Sequence, residues 1–170
     1  EIGITWSFGT RLGLPNSVHS LLRLLLKLGV DIRLTAPPEF APLNRVLRTA
    51  RKEAEQRGLA VKESEDLRDG LDGVDGVVVL NWGPLKNFND IEGNTEIAQQ
   101  YRDWVITGDL LRPRVPFIME PPSKRGLGVS EDLYASGGNL THEWFTRRIA
   151  VLSSPIIRMV NLPDAGSRVV

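Results

Sequence analysis

The stretch Ile2-Gly3-Ile4-Thr5-Trp6-Ser7, with the glycine-containing segment Phe8 to Pro15 and the run Asn16-Ser17-Val18-His19-Ser20-Leu21-Leu22 behind it, decides the fold. The first six residues read as a short apolar strand. Val18, Leu21, Leu22, Leu25 and Leu28 then recur at helical spacing. Gly29 is a natural helix stop, and Val30-Asp31-Ile32-Arg33-Leu34 reads as a second strand that ends at Ala36-Pro37-Pro38. Strand, loop, helix and strand, with a polar side chain at the helix entrance, form the unit whose first loop holds ligands in parallel α/β sheets.

The same alternation continues outward. Leu43, Val46, Leu47, Ala50 and Ala54 mark a second amphipathic helix that Gly58 ends, and Leu59 to Lys62 is a short strand. Ser64-Glu65-Asp66 opens a short helix with Ser64 as its cap. Asp75-Gly76-Val77-Val78-Val79-Leu80 is the strongest strand, a β-branched run suited to the interior of a parallel sheet. A polar loop is expected over 81–94, a helix over 96–104, and a short helix capped by Thr107 through Leu111. Val115 to Met119 reads as a strand, 120–138 as a second long loop, and 141–145 as a helical turn. Ile149 to Leu152 reads as a final strand, followed by a short helix from Pro155 and a frayed tail over 164–170. The pattern predicts a Rossmann-like, doubly wound parallel sheet of about five strands in a three-layer αβα arrangement with right-handed crossovers. Ligands in such a sheet bind beyond the carboxyl ends of the strands, here the loops 7–16, 35–42, 81–95 and 120–138.

Composition bounds the function. The 170 residues suffice for one domain, and 41% hydrophobic with 25% charged residues is ordinary for a globular chain. Net charge is zero, so neither nucleic acid nor an anionic membrane is favoured as a partner. There is no cysteine, which excludes disulfides, thiolate nucleophiles and cysteine metal sites and fits a reducing, cytoplasmic setting. No apolar run approaches the roughly 18 residues of a membrane span. The chain starts at Glu1 without methionine, directly in a strand, and reads as residues 1–163 of a domain cut from a longer polypeptide.

Several local motifs, in order, resemble the second, amino-acid-binding domain of the aspartate/ornithine carbamoyltransferases. Asn16-Ser17-Val18-His19-Ser20-Leu21 is similar to the family's Asn-Val-Ala-His-Ser-Leu and Arg-Thr-Val-His-Ser-Leu helix entrances, and Asp31 to Phe40 to its strand and proline-rich turn. Asn81-Trp82-Gly83-Pro84 resembles the Lys-Ser-Trp-Gly/Ala segment of the N-acetylornithine and N-succinylornithine branch, as do Tyr101-Arg102-Asp103-Trp104 and Asp109-Leu110-Leu111. The resemblance implies transfer of a carbamoyl group from carbamoyl phosphate to the amine of an ornithine-like acceptor, without a cofactor or metal. It also implies an N-terminal carbamoyl-phosphate domain, absent here, and a homotrimer for the intact protein.

One departure stands out. Where the family carries His-Cys-Leu-Pro or His-Pro-Leu-Pro, this chain has Glu120-Pro121-Pro122-Ser123, followed by Lys124-Arg125-Gly126. Glu120 and Arg125 are the candidate catalytic groups. Asn16, Asn81, Trp82, Pro122 through its carbonyl, and Lys86 are the candidate substrate contacts. Five of them have a plainer reading: Asn16 as a helix cap, Trp82 as a core aromatic, Lys86 as a solvated loop residue, Glu120 as an ion pair with Lys124 or Arg125, and Arg125 as part of an exposed basic turn. His19 reads as structural and His142 as solvated. The altered signature motivates an alternative, a non-catalytic paralogue that binds a metabolite or partner. A nucleotide-binding domain ranks last, since the first loop has only Gly9 and Gly13 in place of Gly-x-Gly-x-x-Gly and no acid closes the second strand.

Overall fold

A computed structural model describes residues 1–9, 12–85, 90–112, 114–121 and 125–161. The elements are β1 (Ile2–Trp6), α1 (Asn16–Lys27), β2 (Ile32–Thr35), a 3₁₀ turn (Pro38–Phe40), α2 (Asn44–Gln56), β3 (Val61–Ser64), α3 (Leu67–Leu71), β4 (Gly76–Leu80), α4 (Ile91–Gln99), β5 (Phe117–Met119), α5 (Glu131–Tyr134) and α6 (Thr141–Asn161). The five strands form one parallel sheet in the order β3-β2-β1-β4-β5. The chain winds outward from β1 to β3, then returns to place β4 on the other side of β1. The doubly wound α/β expectation holds.

Side chains of a strand alternate between faces, and β4 shows what that does here. Val78 and Leu80 pack with Ile4, Trp6, Val18, Leu22, Leu26 and Leu34 on one face. Val77 and Val79 pack with Leu71, Val74, Phe117 and Met119 on the other. A sheet covered on both sides in this way needs the β-branched run that the sequence carries. On the second face, α3 lies so close to β2 that a Cβ on Gly70 would come within 2.0 Å of the Thr35 hydroxyl.

Several boundaries differ from expectation. Asp66, not Ser64, caps α3 by accepting from the Asp69 amide, while the Ser64 hydroxyl accepts from the Asp66 amide one step earlier. The polar loop after β4 is shorter than its composition suggests, because Asp90 caps α4 through the Gly93 amide and the helix begins at Ile91. Residues 107–111 form turns rather than a helix. The largest correction is Ile149 to Leu152, which is not a strand but the middle of α6. The outer edge of β5 has no room for another strand. Phe117 already exchanges main-chain hydrogen bonds with Gly138 and Leu140, at 2.8 and 2.9 Å. With no edge to join, the apolar run satisfies its backbone within a helix, leaving Ile149 53% and Val151 70% exposed. The tail at 164–170 lies outside the described residues.

Candidate functional site

The winding direction reverses between β1 and β4, and the loops leaving these two strands diverge around a cleft of about 690 Å³. Its walls include Gly9 and Gly13 of the first loop, Gly83 and Pro84 after β4, and Asn94 and Arg102 on and after α4. This is the crevice in which open α/β sheets hold ligands.

Asn81 ties the two loops together. Its amide nitrogen donates to the Ser7 carbonyl at 2.8 Å, its amide oxygen accepts from the Gly13 N–H at 3.2 Å, and the Gly83 N–H donates to the Gly13 carbonyl at 3.0 Å. The approach is tight, for a Cβ on Gly13 would stand 2.7 Å from the Asn81 carbonyl oxygen. Asn81 thus shapes the cleft, and each end of its amide retains one further hydrogen-bonding valence.

An aromatic cluster packs in the core next to these loops without lining the cleft. The Trp6 indole donates to the Trp82 carbonyl at 2.8 Å, and the Trp82 indole donates to the Phe40 carbonyl at 2.7 Å. Trp82 is 1% exposed, so its ring is a core element and not a pocket wall. Trp6 and Phe40 lie 4.2 Å apart between ring centroids, and Tyr101 and Trp104 meet Trp6 edge-on. The Tyr101 hydroxyl donates to Glu39 at 2.5 Å. That bond, then burial and the Glu39 charge, hold the phenol proton and push its pKa up to about 12.

Asn16 is the first residue of α1 and is exposed. Buried Pro15 occupies the cap position, and no side-chain cap hydrogen bond forms, so the capping role expected of Asn16 is not seen. His19 is half-buried, with no hydrogen bond to Nε2 among the described residues. Burial and, next, the Arg45 charge lower its pKa. His142 is exposed, as expected.

Glu120 continues the β5 ladder by one residue, its N–H donating to the Val79 carbonyl at 2.9 Å. The Ser17 hydroxyl donates to its carboxylate at 2.5 Å. Among the described residues no cation lies within ion-pair distance of Glu120. Arg125 is exposed and instead sits 5.4 Å above the Tyr134 ring, so the expected Glu120–Arg125 pair does not form. Lys86, Pro122 and Lys124 lie outside the described residues. Glu120 and Ser17 line a second cleft, of about 430 Å³, between α1, the β4–β5 face and α6. Ser17 was not singled out from the sequence, because its partner is 103 residues away and only the fold joins them. No cluster of three or more metal-binding side chains occurs among the described residues, and no helix of the structure is long and apolar enough to cross a membrane.

Known proteins share this architecture. Residues 5–152 match the model of the aspartate/ornithine carbamoyltransferase Asp/Orn-binding domain. The ornithine carbamoyltransferase of Mycolicibacterium smegmatis is 27% identical over 124 residues, covering 71% of this chain and 39% of that protein. The aspartate carbamoyltransferase catalytic subunit of Campylobacter lari is 26% identical, with 68% and 34% covered. A crystal structure of N-acetyl-L-ornithine transcarbamylase superposes with a TM-score of 0.74 at 21% identity, covering 82% of this chain and 44% of that one. The chain therefore spans about two-fifths of the length of the relatives it matches.

Proposed function

The chain belongs to the aspartate/ornithine carbamoyltransferase family through its Asp/Orn-binding domain, and from that premise we propose that it is the acceptor half of a divergent carbamoyltransferase. The observation that carries this reading is the cleft at the carboxyl ends of β1 and β4, whose loops Asn81 ties together, within the stretch that matches the family's domain. In the reaction, an amine nitrogen attacks the carbonyl carbon of carbamoyl phosphate. A C–N bond forms, the bond from that carbon to the phosphate oxygen breaks, phosphate leaves, and the amine gives up a proton. Nothing in this needs a covalent nucleophile; positioning and charge stabilisation suffice.

Asn16, exposed at the start of α1 with its amide uncommitted to capping, receives the acceptor's carboxylate. Asn81 offers its remaining valences to the acceptor and fixes the loop geometry, while Trp82, closed off in the core, supports the loop from behind. Glu120 takes up the amine proton or selects the acceptor's charge. Arg125 leaves its stacked position over Tyr134 to meet the phosphate. The Pro122 carbonyl accepts from the carbamoyl amide, and Lys86 meets an anionic substrate tail. A carbamoyl-phosphate domain of the same polypeptide, a homotrimer and a cytoplasmic location complete the proposal, with residues 1–163 as the folded unit.

The Glu-Pro-Pro-Ser sequence in place of the usual signature favours one second reading, a paralogue that binds a metabolite or partner without turnover. A carbamoyl-phosphate-dependent assay on the natural full-length polypeptide separates the two. The acceptors are ornithine, N-acetylornithine, N-succinylornithine, aspartate, putrescine and diaminopropionate. The transferase reading predicts carbamoylation of at least one, and silence on all from a folded protein favours the paralogue or an acceptor outside the panel.

A further inference from the structure

The cleft between α1 and α6 combines a largely apolar wall with one carboxylate that has no counter-ion among the described residues. Its floor is Val78, Leu80 and Ile118 of the sheet, and its sides are Leu21 and Leu24 of α1 and Trp144 of α6. Glu120 stands at the strand end, half-buried, with a single neutral side-chain donor among the described residues, the Ser17 hydroxyl. A carboxylate has about four lone-pair positions, so one hydroxyl leaves most of its accepting capacity unused. The cation on the facing helix does not use it either, because the Arg148 guanidinium lies 5.3 Å from the Trp144 ring centroid, laid against its own helix. The volume, about 430 Å³, falls within the range of small-molecule sites.

We propose that this cleft binds an amphipathic primary ammonium, with Glu120 taking the charged head and the Val78–Leu80–Ile118 floor taking the hydrocarbon chain. An ammonium supplies three donors to a carboxylate that has one among the described residues, and the apolar floor rewards the chain by removing its surface from water. An anionic head meets Glu120 at close quarters and is rejected. A neutral head gains only the apolar contact. Ser17 is a positioning residue, since its hydroxyl fixes the carboxylate rotamer at the mouth of the cleft. The proposal shares Glu120 with the acceptor reading and goes beyond it in assigning the apolar cleft, and the two fail separately: the cleft binds or fails to bind an ammonium whether or not the full-length protein transfers a carbamoyl group.

The test is titration calorimetry of the chain with n-hexylamine, n-hexanol and hexanoate at neutral pH, with amide chemical shifts locating the bound probe. Hexylammonium is expected to bind about tenfold or more tighter than hexanol, with shifts around Trp144, and hexanoate not to bind. Glu120→Gln is expected to abolish the preference for the ammonium while leaving hexanol binding unchanged. Leu24→Lys, at a residue 52% exposed and so tolerant of change, is expected to weaken hexylammonium binding without Glu120 being touched. Equal affinity for the three probes overturns the proposal, as does a preference that survives Glu120→Gln in a folded variant, or shifts that avoid Trp144. Finding the cleft filled by protein in the natural full-length polypeptide also overturns it.

Discussion

The two clefts of this domain are built by different means. The one between the β1 and β4 loops is defined by main chain: glycine carbonyls and amides, bound to each other and to the Asn81 side chain, beside a core in which the Trp6 and Trp82 indole N–H groups are both engaged. The one between α1 and α6 is defined by side chains: a sheet face, leucines, a tryptophan, an arginine laid against it and, among the described residues, one carboxylate. A main-chain site can be broken only by disturbing the fold around it, whereas a side-chain site can be altered one group at a time. Substitutions at the groups that brace the main chain of the first cleft therefore register in stability, and those in the second register in binding.

Trp82→Ala gives the largest contrast. It empties a fully buried volume and strands the Phe40 carbonyl, so a loss of about 3–5 kcal/mol is expected from chemical denaturation. Leu24→Ala at the wall of the second cleft stays within about 0.5 kcal/mol of the parent protein. Equal losses at the two positions would erase the distinction.

Asn81→Ala sharpens it. Two hydrogen bonds to main chain disappear and the Ser7 carbonyl and Gly13 amide lose a partner, at a cost of about 1–3 kcal/mol by the same measurement. Asn16→Ala removes an exposed side chain that caps nothing and changes stability by no more than about 0.5 kcal/mol. Under the acceptor reading it nonetheless costs amino-acid affinity. An Asn16→Ala variant that unfolds easily and binds normally would reverse the roles assigned to these two asparagines.

The smallest effect concerns pH. Tyr101 holds its proton to about 12 because its hydroxyl donates to Glu39. The native state thus favours the neutral phenol. Its contribution is complete below the ordinary tyrosine value of about 10 and is lost as pH rises through about 12. Absorbance titration of the phenolate should show a native step near that upper value which Glu39→Gln moves downward. A step that Glu39→Gln leaves in place would detach Tyr101 from Glu39.

Legibility in the sequence follows the range of the interaction. β1 through β4 are readable because local period and local stops agree: the leucines of α1, Gly29 and Gly58 at positive φ, and the β-branched run of β4. Beyond residue 90 the deciding contacts are distant. Whether Ile149 to Leu152 is strand or helix depends on the edge of β5 being taken by 138–140, which no window around residue 150 contains. The site divides in the same way. The loops that build the first cleft sit where a doubly wound sheet puts them. That Asn81 is a clamp, that Trp82 is closed off, and that Ser17 rather than Arg125 meets Glu120 are consequences of pairings 42 to 103 residues apart.

The most direct test of the acceptor reading is amide chemical-shift mapping of the chain during titration with each amino acid of the acceptor panel. The account predicts, for at least one of them, saturable shifts at Gly9, Gly13, Gly83 and Asn94, the walls of the cleft between the β1 and β4 loops, abolished in Asn16→Ala. Unmoved resonances at all four positions with every amino acid would contradict it.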